Sequence, residues 1–334
     1  MSLLDIGLLL AISAVWGSSF MFMRYLAPTV GPAFTADMRT LVAGIVLGLF
    51  FLAIRFRPGW KKNAGHFVII GLLNAGVPAL LYSFAALSLP ASVEAILNAL
   101  SPLFGAVFSA IWLGERLTIR KILGLALGLA GVACVTGLAT GPGEKATLLP
   151  IGACVMATVC YGLAGVYIKK KASHVKPMAV AGGSQLAAGL IMLPLVFLAP
   201  PPTAQLVRAA PVIILFALLC NAAAFLMYFR LIASAGPTKA LTVTFLIPVS
   251  GMALGALLLL EPVTTRMVIG TIIILAGSAL VVAPGFLDRA GAGVYRFMTT
   301  LIRGANREQR FTARDPATPV DGPGAVREDP PGLP

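Results

Sequence analysis

The chain carries little charge. Asp, Glu, Lys and Arg make up 11% of its 334 residues, against about 25% in an average soluble protein. Histidine is rarer still: His66 and His174 both sit at the edges of apolar runs. Two edge histidines and no clustered acids make neither a metal site nor a nucleophile–base pair, so an intramembrane enzyme is not expected. The four cysteines, Cys134, Cys154, Cys160 and Cys220, lie inside apolar runs and form no CxxC pair. They read as free buried thiols, not as a disulfide framework. No GxxxxGK[ST] segment occurs, so ATP drive within the chain is not indicated and no cofactor is expected.

What fills the chain instead is apolar surface. Hydrophobic residues make up 58% and the mean hydropathy is +0.94. A soluble globule of this size keeps roughly a quarter of its unfolded surface exposed and has nowhere to hide so much. A water-soluble enzyme and a largely disordered chain are both excluded, and the solvent is lipid. The net charge of +13 does not point to nucleic acid. Lys and Arg fall in short clusters between apolar runs, as in membrane proteins.

A window of about 20 residues places ten spans near 6–24, 37–55, 67–88, 91–113, 121–139, 148–168, 177–199, 211–230, 239–260 and 267–286. The N-terminal run lacks the basic segment of a signal peptide and reads as the first span. With the N-terminus in the cytoplasm, 13 Lys and Arg fall inside and 5 outside before the tail. That bias predicts both termini in the cytoplasm; the bacterial inner membrane is the expected location.

The chain repeats itself. A shift of 146 residues puts Tyr82 on Tyr228, Leu100 on Leu246, Pro102 on Pro248 and Gly105 on Gly251. It also puts Leu113 on Leu259, Glu115 on Glu261, Thr118 on Thr264, Gly124 on Gly270 and Gly131 on Gly277. A shift of 145 puts Trp16 on Tyr161, Gly17 on Gly162 and Gly44 on Gly189. Each half, 1–140 and 141–286, therefore holds five spans. Five is odd, so the second half enters the membrane from the opposite side. The expected fold is an all-α integral membrane protein of two inverted five-helix repeats, an architecture that secondary transporters use for alternating access.

The segments VWGSSFMFMRYL, ALSPLFGAVFSAIWLGERLTIRKILGLALGLAGV and FLIPVSGMALGALLLLEPVTTRMVIGTIIILAGSAL resemble the drug/metabolite transporter superfamily in its ten-span EamA branch. The resemblance covers about residues 6 to 285. It implies export or import of small metabolites, often amino acids. It also implies a central cavity lined by spans one to four and six to nine, with spans five and ten peripheral. A secondary exporter of amino acids or related metabolites is the expected function. A sugar or nucleotide-sugar carrier is the other transport reading, and a non-transporting scaffold is the reading from another class. A nucleotide-sugar cavity would be rich in Lys and Arg, and the spans offer Arg39.

Candidate site residues follow from position and chemistry. Trp16 with Tyr161 and Tyr82 with Tyr228 are symmetry pairs of aromatics with polar handles, suited to an amphipathic solute. Ser19, Asn74, Asn98, Asn221 and Thr244 add hydrogen-bonding groups, or else join helices. Ser18 and Gln185 read the same way. Pro102 and Pro248 are expected to kink spans four and nine as matched hinges. Glu94 is the acid well inside a span, with Asn98 at i+4 on the same face. It reads as a proton or amine site, or as a wetted residue of the outer vestibule. Arg39 reads as a carboxylate clamp or as a local partner of Asp37. Glu115 and Glu261 are expected to fix the tight turns before Thr118 and Thr264, which cap spans five and ten.

The small residues Gly124, Gly128 and Gly131 in span five serve either a homodimer through the peripheral helices or packing within one chain. After the last span, 287–311 alternates apolar and arginine positions as a helix lying on the cytoplasmic surface would. The proline-rich 312–334 reads as disordered. The expected partners are a small-molecule solute and the lipid bilayer; no metal and no nucleic acid are expected.

Overall fold

Lipid offers the backbone no hydrogen bonds, so an apolar run must satisfy its own amides and carbonyls as a helix. The computed structural model describes residues 1–137 and 145–282, and among these there is helix and no strand. Nine of the helices are long and apolar enough to cross a bilayer: Leu3–Val30, Pro32–Ala53, Trp60–Ala85, Ala91–Leu113, Ile119–Thr136, Leu148–Lys171, Pro177–Leu198, Thr203–Ala235 and Thr265–Val282. The shorter Val243–Leu258 lies between the last two and completes ten spans. In chain order it is span nine. The surface helix expected at 287–311 and the tail 312–334 lie outside the described residues.

Local chemistry sets the ends. Ser2 and Asp5 form a reciprocal capping box at the start of span one, with bonds of 2.9 and 3.1 Å. Gly31, at φ +86°, turns the chain, and Pro32 opens span two at a position where its missing N–H is not needed. Gly114, at φ +70°, ends span four. The Thr118 hydroxyl accepts from the Lys121 amide at 3.4 Å, and Thr264 accepts from the Met267 amide at 3.3 Å. Both threonines cap as their spacing predicts. Spans one and eight exceed the apolar window by the most. Span one runs on to Val30 and places Arg24 within the helix. Span eight begins at Thr203, carrying Pro211 inside it.

The packing has the two-fold pattern of an inverted repeat. Spans five and ten pack on each other, as do two and seven, and four and nine. Span one packs on nine as six packs on four, and span three packs on six as eight packs on one. The matched glycines stand at these crossings. A Cβ on Gly17 would lie 2.8 Å from the Gly251 nitrogen, and one on its mate Gly162 would lie 2.6 Å from the Gly105 nitrogen. A Cβ on Gly44 would meet the Leu186 Cα at 2.5 Å, and one on Gly189 the Leu41 Cα at 2.6 Å. Backbone approaches this close exclude any side chain, the general device of helix packing in membranes. The glycine stripe of span five is used in the same way. Gly124 and Gly131 face Gly277 and Gly270 of span ten, and Gly128 faces Leu103. The stripe therefore packs within the chain, and exposed Ile122, Leu123 and Leu129 remain for lipid.

Candidate functional site in the central cavity

Spans three and eight each contain a wide, π-type turn, over Leu72–Gly76 and Ala217–Ala223. In span three the Val77 amide donates to the Leu72 carbonyl, five residues back. Pro78, four residues after Asn74, has no N–H to give the Asn74 carbonyl, and the helix widens there. The π turns carry Asn74 and Asn221, and both line the central cavity.

That cavity has a volume of about 550 Å³. Its lining comes from spans one to four and six to nine; among the described residues span ten adds Val282 and span five adds none. Trp16, Ser19, Tyr82 and Asn98 line it from the first half, and Tyr161, Tyr228 and Thr244 from the second. The aromatic pairs meet across the halves. Trp16 packs on Tyr228 at 5.2 Å between ring centroids, and Tyr82 packs on Tyr161 at 6.4 Å. These two contacts are equivalent under the repeat. Phe225 at 6.0 Å from Trp16 and Phe20 at 5.2 Å from Tyr82 extend each wall. The Tyr82 hydroxyl donates to Asn98 Oδ1 at 3.2 Å.

Arg39 is the charged group deep in this cavity. Its Nε and Nη2 donate to Asn221 Oδ1 at 3.4 and 3.2 Å, and Gln185 Nε2 donates to the same oxygen at 3.3 Å. The guanidinium carbon lies 5.0 Å from the Phe216 ring centroid, a cation–π contact. The partnership with Asp37 does not form. Residues two apart on a helix point to nearly opposite sides, and Asp37 is fully buried with neither carboxylate oxygen hydrogen-bonded among the described residues. Among the described residues no acid lines the cavity, and the guanidinium faces it without a carboxylate partner.

Two expected residues stand elsewhere. Glu94 does not line the cavity and is not in a wetted vestibule. It is fully buried in the first turn of span four, with both carboxylate oxygens unbonded among the described residues. Asn98, one turn further on, reaches the cavity; Glu94 lies beyond its closed end. Pro248 is buried in a continuous helix and does not line the cavity either. The matched hinges are therefore not matched in shape. Span four breaks at Ala99–Leu100, and Pro102 stands in the first turn of the second segment. The Ser101 hydroxyl donates to the Asn98 carbonyl at 2.7 Å, replacing the bond that Pro102 cannot make. Span nine breaks earlier, at Leu241–Thr242, after the short segment Pro237–Ala240.

Among the described residues the lining reaches one face of the molecule and stops short of the other. Ser109, Lys169 and Leu241 line its mouth on the face where the chain begins, and Leu241 is exposed. Beside the mouth, Glu115 accepts from Lys169 Nζ at 2.9 Å and Lys121 Nζ at 3.1 Å. These bonds, Lys169 first, hold its carboxyl below the usual carboxylate range. At the opposite face Leu89, Ala91 and Ser92 are buried, and none of them lines the cavity. There Glu261 does not simply fix its own turn: it accepts from the Ala91 and Ser92 amides at 2.7 and 3.0 Å, and from the Ser92 hydroxyl.

A family model described as "EamA-like transporter family" matches the chain twice, over residues 4–137 and 148–283. The chain belongs to the EamA-like transporter family. Several curated proteins are similar to this EamA-like chain along most of its length. "Uncharacterized transporter YvbV" of Bacillus subtilis is 28% identical over 292 residues, covering 85% of this chain and 94% of that one. "Protein PecM" of Dickeya dadantii is 26% identical, covering 80% and 88%. "Uncharacterized protein PA1977" of Pseudomonas aeruginosa is 30% identical, covering 85% and 96%. A solved crystal structure shares the fold, with a TM-score of 0.54 at 18% identity over 84% of this chain and 98% of that one. The EamA-like assignment makes the chain a multi-pass membrane transporter.

The sequence reading missed the paired π turns and the place of Phe216 beneath Arg39. The Asn74–Pro78 spacing was the available signal for the first turn. Nothing comparable marks the second, since no proline follows Asn221 at that distance.

Proposed function

We propose that this EamA-like protein is a secondary exporter of amino acids or closely related small carboxylates, working by alternating access. The observation that supports this reading is Arg39. A guanidinium has five donors in a planar fork, and here two of the donor nitrogens share one asparagine oxygen. Nη1 also donates to Met23 Sδ at 3.6 Å, so the fork is held in place with one donor left on each terminal nitrogen, and two parallel donors are what a carboxylate binds best. Trp16, Tyr82, Tyr161 and Tyr228 supply apolar walls with polar edges for the rest of the solute, and Ser19, Asn74, Asn98 and Thr244 supply neutral hydrogen bonds. The Lys and Arg bias supports a cytoplasmic position for the open mouth, the loading side for an exporter. A nucleotide-sugar carrier would want several free cations; Lys169, the other cation of the lining, is already held by Glu115.

Flux in proteoliposomes tests this. Phenylalanine should move while phenethylamine, the same solute without its carboxylate, should not. Arg39→Gln should lower phenylalanine flux by roughly tenfold or more, the scale of one charge-assisted bidentate contact. Equal flux of acid and amine would remove Arg39 from the site. Preference for a neutral sugar would favour the other transport reading, and no flux of any solute would favour the scaffold.

A further inference from the structure

The repeat also relates groups at the two ends of the molecule, and there the structure is not symmetric. At the closed face Glu261 covers the start of span four through the Ala91 and Ser92 amides and the Ser92 hydroxyl. At the same face Arg24 Nη1 donates to the Ala86 carbonyl at 2.6 Å, joining span one to the end of span three. The registers that match the glycines and prolines carry each of these groups to the open face. Glu261 corresponds to Glu115, Ala91 to Pro237, Ser92 to Thr238 and Ala86 to Ile232 in the 146 register; Arg24 corresponds to Lys169 in the 145 register. At the open face the corresponding bonds are exchanged for another. Glu115 and Lys169 bond each other at 2.9 Å, and Lys170 and Lys121 hold the surrounding turn through the Trp112 carbonyl and the second Glu115 oxygen.

We propose that these four groups are the positioning residues of the gate: at whichever face is shut, the carboxylate caps the first turn of the opposite repeat's broken span and the cation bonds the end of the preceding span. At the face that is open, the carboxylate and the cation release their backbone partners and pair with each other. In the state not seen here, Glu115 covers the start of span nine at Thr238, Lys169 bonds the Ile232 carbonyl, and Arg24 pairs with Glu261. This rests on the alternating-access reading above.

The chemistry supports an exchange. At the closed face, where Ala91 and Ser92 are buried, a carboxylate or a guanidinium without a partner is costly; at the open face water shares the charges, and the carboxylate and the cation still have each other as partners. The helix start gains as well, because free first-turn amides favour a negative group. The two locks are unequal. Pro237 has no amide where Ala91 has one, so the lock at the mouth has one donor fewer. That agrees with the mouth being the open end.

Hydrogen–deuterium exchange on the full chain in lipid nanodiscs tests the gate without knowledge of the solute. Glu261→Gln should raise exchange of amides 91–95 about fivefold, the scale of a lost helix cap, and lower it by a similar factor at 238–244. Glu115→Gln should do the opposite at both places. If Glu261→Gln yields too little folded protein, Ser92→Ala removes one donor and should shift the same amides in the same directions, more weakly. A rise at 91–95 with no protection at 238–244 would make Glu261 a local helix cap and overturn the gate. No effect of Glu115→Gln at 91–95 would do the same. A failure of flux in the wild-type protein would instead count against the transport reading and would leave this exchange pattern to be judged by itself.

Discussion

Spans four and nine start from one sequence pattern and end as different objects. Both carry proline in matched register, both begin with a short helical segment, and both close on the same Gly–Gly approach to a partner span. Yet span four breaks at Ala99–Leu100, two residues before its proline, while span nine breaks at Leu241–Thr242 and passes Pro248 unbroken. The closed face holds the start of span four rigidly against Glu261. The start of span nine stands at the open mouth. Where two spans cross near the middle, the repeat is obeyed in detail; where they reach a membrane face, it is not. Inverted halves must differ at their ends in any single state of a protein that opens to one side at a time.

The largest effect should come from the symmetric part of this comparison. Gly17→Leu and Gly162→Leu each force a side chain into the backbone of the crossing span. Each should cost about 3 kcal/mol or more and remove most of the monodisperse peak in size-exclusion chromatography. If one is tolerated and its mate is not, the two crossings are not equivalent in energy.

A smaller effect is expected at the aromatic walls. Trp16→Ala and Tyr228→Ala should each lower flux by roughly tenfold with membrane expression intact, since an aromatic contact contributes about 0.5–1.5 kcal/mol beyond its buried area. Tyr161→Ala and Tyr82→Ala probe the equivalent wall. Wild-type flux in the first pair and loss in the second would show that the solute leans on one half.

The smallest effect belongs to the open face. Glu115 is partly exposed, with 38% of its side chain accessible, so its lysine bonds are screened and add little stability. Its pKa is lowered from the ordinary 4.5. The contribution is therefore complete above about that pH and is lost as pH falls through the lowered value. Thermal unfolding should show a slight drop on acidification below the carboxylate range, and Glu115→Gln should abolish that step. A step unchanged in the variant would assign it to another acid.

Much of the middle of the molecule was legible because glycine, proline and aromatic residues are rare enough for a register to stand out among Leu and Ala. The register pairs Gly17 with Gly162 and Trp16 with Tyr161. The threonine caps were legible because a hydroxyl three residues before a helix amide has one obvious partner. Other features were not. The break in span nine at Leu241–Thr242 lies six residues before its proline, so the proline does not mark it. The burial of Glu94 comes from packing of its segment against span nine, which lies in the other half. Arg39 was ambiguous because Asp37 is near it in sequence; only the helix twist, together with Asn221 and Gln185 arriving from the other half, decides which neighbour it meets. The partners of Glu261, Ala91 and Ser92, lie in the other repeat, where spacing along the chain does not point.

The crossings have one more consequence, for the order of synthesis. Gly17 waits for Gly251, Gly105 for Gly162, and Arg39 for Asn221 and Gln185. Neither half has a finished interior, since the packing partners of each come from the other. When the ribosome has delivered the first five spans, their small-residue seams face lipid and the Arg39 guanidinium has no asparagine to hold it. An ionisable group at that depth is expensive to leave unmatched. The late spans therefore complete the early ones as much as they complete themselves.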